Sequence, residues 1–61
     1  MMTALIVTTD AKRIGEHQCQ SWTECQEWSS MFIGYNGLKR LRSHKANGQL
    51  ITWVEPNETN S

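Results

Sequence analysis

The sequence predicts a small α+β domain in which two central helices form a helix-turn-helix and two terminal strands pair antiparallel. Apolar residues recur at helical spacing over residues 22–32, and a Gly/Asn-rich break follows. A short apolar run at residues 49–54 then indicates a strand. We therefore expect a single domain over residues 1–56 and a disordered polar tail over residues 57–61.

The first part of the chain predicts one strand and one irregular segment. Residues 3–9 combine short apolar and β-branched side chains, which are typical of a strand. Residues 11–20 are polar, contain Gly15 and show no clean period. They indicate a loop or a ragged helical turn.

The first helix is predicted to begin near Ser21. Ser21 and Glu24 match a capping box, with a hydroxyl at the N-cap and a carboxylate three residues later. Thr23 with Gln26 is a rival frame for the same start. Gly34 opens the break that ends the helical pattern.

Residues 38–45 admit two interpretations. The dipeptide Asn47-Gly48 can stop a helix, because Gly adopts the left-handed conformation needed at a helix end. The same dipeptide is the strongest signal for a type I′ hairpin turn. The helix is preferred, because Leu38 and Leu41 have opposite parity and would lie on different faces of a strand.

Aromatic side chains supply much of the predicted core, since each ring covers roughly 150–250 Å². Trp22 and Trp28 are expected to pack against the strands. Phe32 and Leu41 are expected to be buried and to meet across the turn between the helices. Because a chain of 61 residues buries little apolar surface, a homodimer would add useful buried area.

Positive charge concentrates in the second predicted helix. The net charge is zero, yet residues 38–45 hold four of the six Lys and Arg residues. Such a block indicates an anionic partner, and a helix that carries it would fit the major groove of double-stranded DNA. The alternative is a solvated basic surface without a partner. The residues predicted to bind DNA are Lys39, Arg40, Arg42, Ser43 and Lys45.

Residues 21–54 resemble the winged helix-turn-helix of small phage-type regulators and excisionases. Ser30 is a small residue four positions before the turn residue Gly34, as in many helix-turn-helix proteins. Arg40 departs from the pattern by falling at a core position, and Leu41 is one place late. The resemblance implies a DNA-binding regulator of a phage or mobile element. The alternative function is a small phage-type inhibitor that binds and blocks a host protein.

Neither an enzyme nor a metal or cofactor site is predicted. His17, Cys19, Cys25 and His44 are possible zinc ligands, but their spacings are not those of structural zinc sites. Two cysteines make no disulfide framework, so Cys25 is expected in the core and Cys19 as a loop thiol. The sequence lacks a secretory signal and the ~20 consecutive apolar residues of a membrane span. The cytoplasm is the expected location.

Overall fold

A computed structural model describes residues 1–57 of the chain. One helix packs against one face of a four-stranded mixed sheet of order β2-β1-β4-β3. Strands β1 and β2 form one antiparallel hairpin, β3 and β4 form another, and the central strands β1 and β4 run parallel. The elements are β1 (Met2–Thr8), β2 (Arg13–Cys19), α1 (Trp22–Tyr35), β3 (Leu38–Ala46) and β4 (Gln49–Pro56).

The predicted helix-turn-helix is wrong, because the second predicted helix is strand β3. Asn47 and Gly48 have φ angles of 52° and 74°, as a type I′ hairpin turn requires. The register of β3 on β4 shifts between Arg40 and Arg42, which makes Leu41 an extra residue in a bulge. The bulge breaks the strict alternation of side chains on which the preference for a helix rested.

The expected pairing of the terminal strands is also wrong in direction. Strands occupy both predicted places, but β1 and β4 are neighbours in parallel orientation. The segment expected to be a loop forms β2, which pairs with β1. Gly15 in β2 lies under α1, where an added Cβ would be 2.9 Å from Cε2 of Phe32. This strand therefore carries a glycine where the helix comes close.

Helix α1 begins as the capping box predicts. The Ser21 hydroxyl accepts a hydrogen bond from the Glu24 amide at 3.2 Å, and the Glu24 carboxylate accepts one from the Gln20 amide at 3.1 Å. The helix ends at Tyr35, and the side-chain amide of the C-cap residue Asn36 donates a hydrogen bond to the carbonyl of Phe32 at 2.9 Å. No helix in residues 1–57 is both long and apolar enough to cross a bilayer.

The predicted tail begins at Asn57, whose amide donates to the carbonyl of Gly37 at 2.9 Å. Residues 58–61 of that predicted tail lie outside the described residues.

The core lies between α1 and the sheet, and its placement corrects one expected contact. Phe32 is half-buried against Trp28, with ring centroids 5.2 Å apart, while Leu41 is 43% exposed in the bulge. The predicted contact between two buried side chains, Phe32 and Leu41, is therefore wrong. The expected packing of Trp22 and Trp28 is confirmed, since both are partly buried against the core. The buried apolar residues on this side of the sheet and on α1 are Ala4, Ile6, Cys19, Cys25, Leu50 and Val54.

The two cysteines form a disulfide, so the expectation of a free loop thiol is wrong. Cys19 ends β2 and Cys25 is the fourth residue of α1, with their Cα atoms 5.6 Å apart. Both residues are buried. The bond fastens α1 to an edge strand of the sheet, at the side away from β3.

The hydroxyl of Thr52 is buried under α1 without a hydrogen-bond partner among the described residues. We expect Thr52→Val to raise the free energy of unfolding by about 1 kcal/mol, because valine has the same shape and carries no hydroxyl to desolvate. Urea unfolding followed by tryptophan fluorescence measures the change. Thr3→Val, at a half-buried site on β1, is the control and should stay within about 0.5 kcal/mol. A less stable Thr52→Val variant would contradict the assignment.

Candidate nucleic-acid interface

The five residues predicted to bind DNA all lie on β3, at the edge of the sheet. Each of their side chains is exposed. Pairing with β4 divides them between the two faces of the sheet. Arg40, Ser43 and Lys45 lie on the face that packs against α1. Lys39 and Arg42 lie on the opposite face, which no helix of residues 1–57 covers and which we call the open face.

On the helix side, two basic side chains make contacts that position them. The Arg40 guanidinium donates a hydrogen bond from Nη2 to the hydroxyl of Ser30 at 3.2 Å. The Lys45 ammonium lies 4.9 Å from the ring centroid of Trp22. Neither contact neutralises the charge, and both residues are exposed. Arg40 therefore does not occupy the core position that the helix-turn-helix pattern assigns to it.

On the open face, Arg42 lies against the aromatic ring of Trp53. The guanidinium carbon is 5.4 Å from the ring centroid, within the range of a cation–π contact. His44 pairs across the strands with Ile51, and Lys39 pairs with Glu55. Stacking on a ring orients a guanidinium while its N–H groups stay available to a phosphate.

The four Lys and Arg residues of β3 form no ion pair with a carboxylate anywhere in residues 1–57. The ion pairs found there are on the other half of the sheet. Arg13 pairs with Glu16 at 3.5 Å, and His17 lies 3.6 Å from the carboxylate of Glu24. Within the described residues, the positive charge at the β3 edge is therefore not offset by an ion pair. Such an edge attracts anions, and it also discourages edge-to-edge pairing with other sheets.

An open groove of about 400 Å³ lies on α1 and is lined by Gln26, Glu27, Ser30 and Met31. Ser30 connects it to the β3 edge through Arg40. The carboxylate of Glu27 makes the groove a poor site for phosphate. The groove is therefore a weaker candidate for anion binding than the β3 edge.

Two residues beside the basic side chains, His44 of β3 and Trp53 of β4, are absent from the set that the sequence predicts. Charge alone locates Lys39, Arg40, Arg42 and Lys45 but says nothing about which uncharged neighbours accompany them. The hairpin reading of Asn47-Gly48 would have brought Trp53 beside Arg42, because the turn fixes the pairing of the strands.

Comparison of the chain with models of protein families, with curated proteins and with solved structures found no match. The relationship to phage-type regulators stays a prediction. The case for a nucleic-acid interface rests on the charge and geometry of β3.

Proposed function

We propose that the protein binds double-stranded DNA through the β3 edge. One observation carries the proposal: four of the six Lys and Arg residues lie on one exposed edge strand. Within residues 1–57 none of the four has a carboxylate partner. A protein that neutralises phosphates with such side chains releases condensed counterions, which supplies most of the affinity for DNA.

The element that would contact DNA is a strand and not a helix, because the candidate residues lie on β3. The edge of a sheet can reach the major groove or the phosphates beside it, as strands do in β-ribbon DNA-binding proteins. Strand β3 pairs with β4 on one side and has no neighbouring strand on the other within the described sheet. DNA would therefore contact the sheet at this one edge. Lys39 and Lys45 lie near opposite ends of β3 and suit phosphates, whereas Arg40 and Arg42 can each donate two hydrogen bonds.

In this proposal the protein is a binding protein and not an enzyme, needs no cofactor, and acts by occupying DNA as a small regulator of a phage or mobile element. We place it in the cytoplasm, with its DNA partner. Cytosolic thiols are normally kept reduced. In that compartment we therefore expect the Cys19–Cys25 disulfide to interconvert with its reduced form, in which both cysteines are thiols.

A salt series on random-sequence duplex DNA tests the proposal. We expect Lys39→Ala to weaken binding at every salt concentration and to make the log–log salt slope shallower by about one unit. The reason is the loss of one phosphate contact with its released counterion. The side chain of Lys39 makes no hydrogen bond or ion pair in the described part of the chain, so folding should not change.

Lys12→Ala is the matched control, since Lys12 is an exposed lysine in the turn between β1 and β2, away from β3. Its slope should equal that of the unmodified protein. If both variants lost the same DNA affinity, binding would depend on the overall charge of the protein and not on the β3 edge. A protein that does not bind duplex DNA at low salt would refute the proposal outright.

Blockade of a host protein is the second candidate function. The exposed side chains of α1 favour it, because Met31 is 56% and Tyr35 is 83% exposed. Methionine and tyrosine are enriched at protein–protein interfaces. In this case Tyr35→Ser should weaken binding to the host protein, while the β3 variants leave it unchanged.

A further inference from the structure

We infer that the cleft between α1 and β3 holds the phosphate backbone of one DNA strand, and that Gln26 of α1 contacts it. This role rests on the proposed DNA binding and extends the contact surface from β3 to the neighbouring flank of the helix. Two contacts define the cleft, since Arg40 lies against Ser30 and Lys45 lies against Trp22. We call it the α1–β3 cleft, and its residues are Trp22, Gln26, Ser30, Arg40, Ser43 and Lys45.

The helix wall of the α1–β3 cleft is one stripe of side chains. Trp22, Gln26 and Ser30 follow one another at intervals of four positions, which places them on the same flank of α1. Both outer members of the stripe contact β3, so Gln26 between them also faces β3. Gln26 is exposed, and its side-chain amide has no hydrogen-bond partner among residues 1–57. Its N–H groups are therefore available to a ligand in the cleft.

The strand wall of the α1–β3 cleft carries a hydroxyl between two cations. Arg40, Ser43 and Lys45 lie on the helix side of β3, because each pairs with a β4 residue that is buried under α1. All three are exposed. The two end contacts show that α1 and β3 run in opposite directions. Gln26 and Ser43 therefore both lie midway along the cleft.

The charge of the α1–β3 cleft favours a phosphate ligand. Neither Arg40 nor Lys45 forms an ion pair within residues 1–57. Arg40 donates one hydrogen bond to Ser30 and keeps further N–H donors for a phosphate. Glu27 follows Gln26 in the chain and lies about 100° further round the helix, on the side away from the sheet. Its carboxylate therefore does not enter the cleft.

The length of the α1–β3 cleft fits a short run of phosphates. Its helix wall spans residues 22–30, or about 12 Å in a helix that rises ~1.5 Å per residue. Phosphates of one DNA strand repeat about every 3.4 Å along the helix axis, so several fit between the two ends. Arg40 and Lys45 would bind the outer phosphates, and Gln26 and Ser43 would donate hydrogen bonds to those between them.

The position of the cleft lets both faces of β3 contact the same duplex. The major groove is about 12 Å wide, and a strand edge placed in it has one phosphate backbone on each side. The α1–β3 cleft would contact one backbone. Lys39 and Arg42, which lie on the open face, would contact the other.

Charge substitutions at Gln26 test the contact, with Gln18 as the matched control. Gln18 is an exposed glutamine on β2, the edge strand farthest from β3. We expect Gln26→Glu to raise the Kd for a random-sequence duplex roughly tenfold at low salt, because a carboxylate would oppose the phosphates. Gln18→Glu has the same net charge but lies far from the cleft, so its Kd should change by less than about twofold.

The opposite substitution gives a gain of affinity, which misfolding does not produce. Gln26→Lys should lower the Kd roughly fivefold and make the log–log salt slope steeper by about one unit, because the new cation would release one more counterion. Gln18→Lys should leave the slope unchanged. Circular dichroism shows whether each variant is folded.

These measurements separate the role of α1 from the DNA binding on which it rests. Suppose that the unmodified protein binds duplex DNA and that both Gln26 variants match their Gln18 counterparts. DNA would then bind the β3 edge without α1, and the role of the cleft would be refuted while the proposed function stood. An unmodified protein that does not bind duplex DNA would refute both.

Discussion

Truncation of Ile6 to Ala is expected to lower the free energy of unfolding by about 2–5 kcal/mol. Ile6 lies on the central strand β1 and, among residues 1–57, is the largest fully buried side chain, with no exposed surface. Its removal loses apolar burial and leaves a cavity that α1 and the sheet close only in part. A domain of 61 residues has a total stability of roughly 3–9 kcal/mol. The variant should therefore lose a large share of the stability of the domain, as urea unfolding followed by circular dichroism would show.

Ile14→Ala provides the matched control for this experiment. The same residue type on β2 is 38% exposed, so truncation removes less burial and leaves no closed cavity. We expect a loss of under about 1 kcal/mol. Equal losses at Ile6 and Ile14 would mean that the core does not lie between α1 and the central strands.

Reduction of the Cys19–Cys25 disulfide is expected to cost about 2–3 kcal/mol. The cysteines are separated by six positions, and closing so short a loop restricts the unfolded chain by roughly 2.4 kcal/mol in the chain-entropy model. For a domain of this size, each kcal/mol corresponds to about 4–8 °C in Tm. Melting with and without a phosphine reductant should show a difference of roughly 10–20 °C.

The double variant Cys19→Ala with Cys25→Ala is the control for the reductant itself. Its Tm should be low in both buffers and should not respond to the phosphine. If the Tm of the unmodified protein were also unaffected, the two thiols would not be joined in solution.

Local interactions made the start of α1 predictable. The hydrogen bond from the Glu24 amide to Ser21 spans three residues, so the sequence contains all that is needed to expect it. Strand β2 could not be recognised in this way. Its positions facing α1 are Gly15, His17 and Cys19, which form no apolar pattern. His17 stacks on the ring of Trp28, with centroids 5.2 Å apart, and a contact between distant elements thus stabilises the strand.

The error at β3 has a different cause. The hairpin turn Asn47-Gly48 was visible in the sequence, but the parity of Leu38 and Leu41 argued against a strand. A bulge at Leu41 lets the segment form a strand in spite of this parity. The local sequence contains no signal that predicts the bulge. The same bulge decides that Arg40 lies beside α1 and Arg42 lies on the open face. The five candidate residues could therefore be found from charge, whereas their division between two faces required the pairing with β4.

The parallel pairing of β1 with β4 has a consequence for the order of folding. Each hairpin closes through a tight turn, and such closures take about 1–10 μs. The central pairing joins Thr3 to Gln49, so it must close a loop that contains β2, α1 and β3 and lose the corresponding chain entropy. We expect this non-local step to limit the folding rate. Until this pairing is complete, β1 and β4 each expose an unpaired edge. We therefore expect a nascent chain in which β4 is not yet synthesised to be most prone to aggregation.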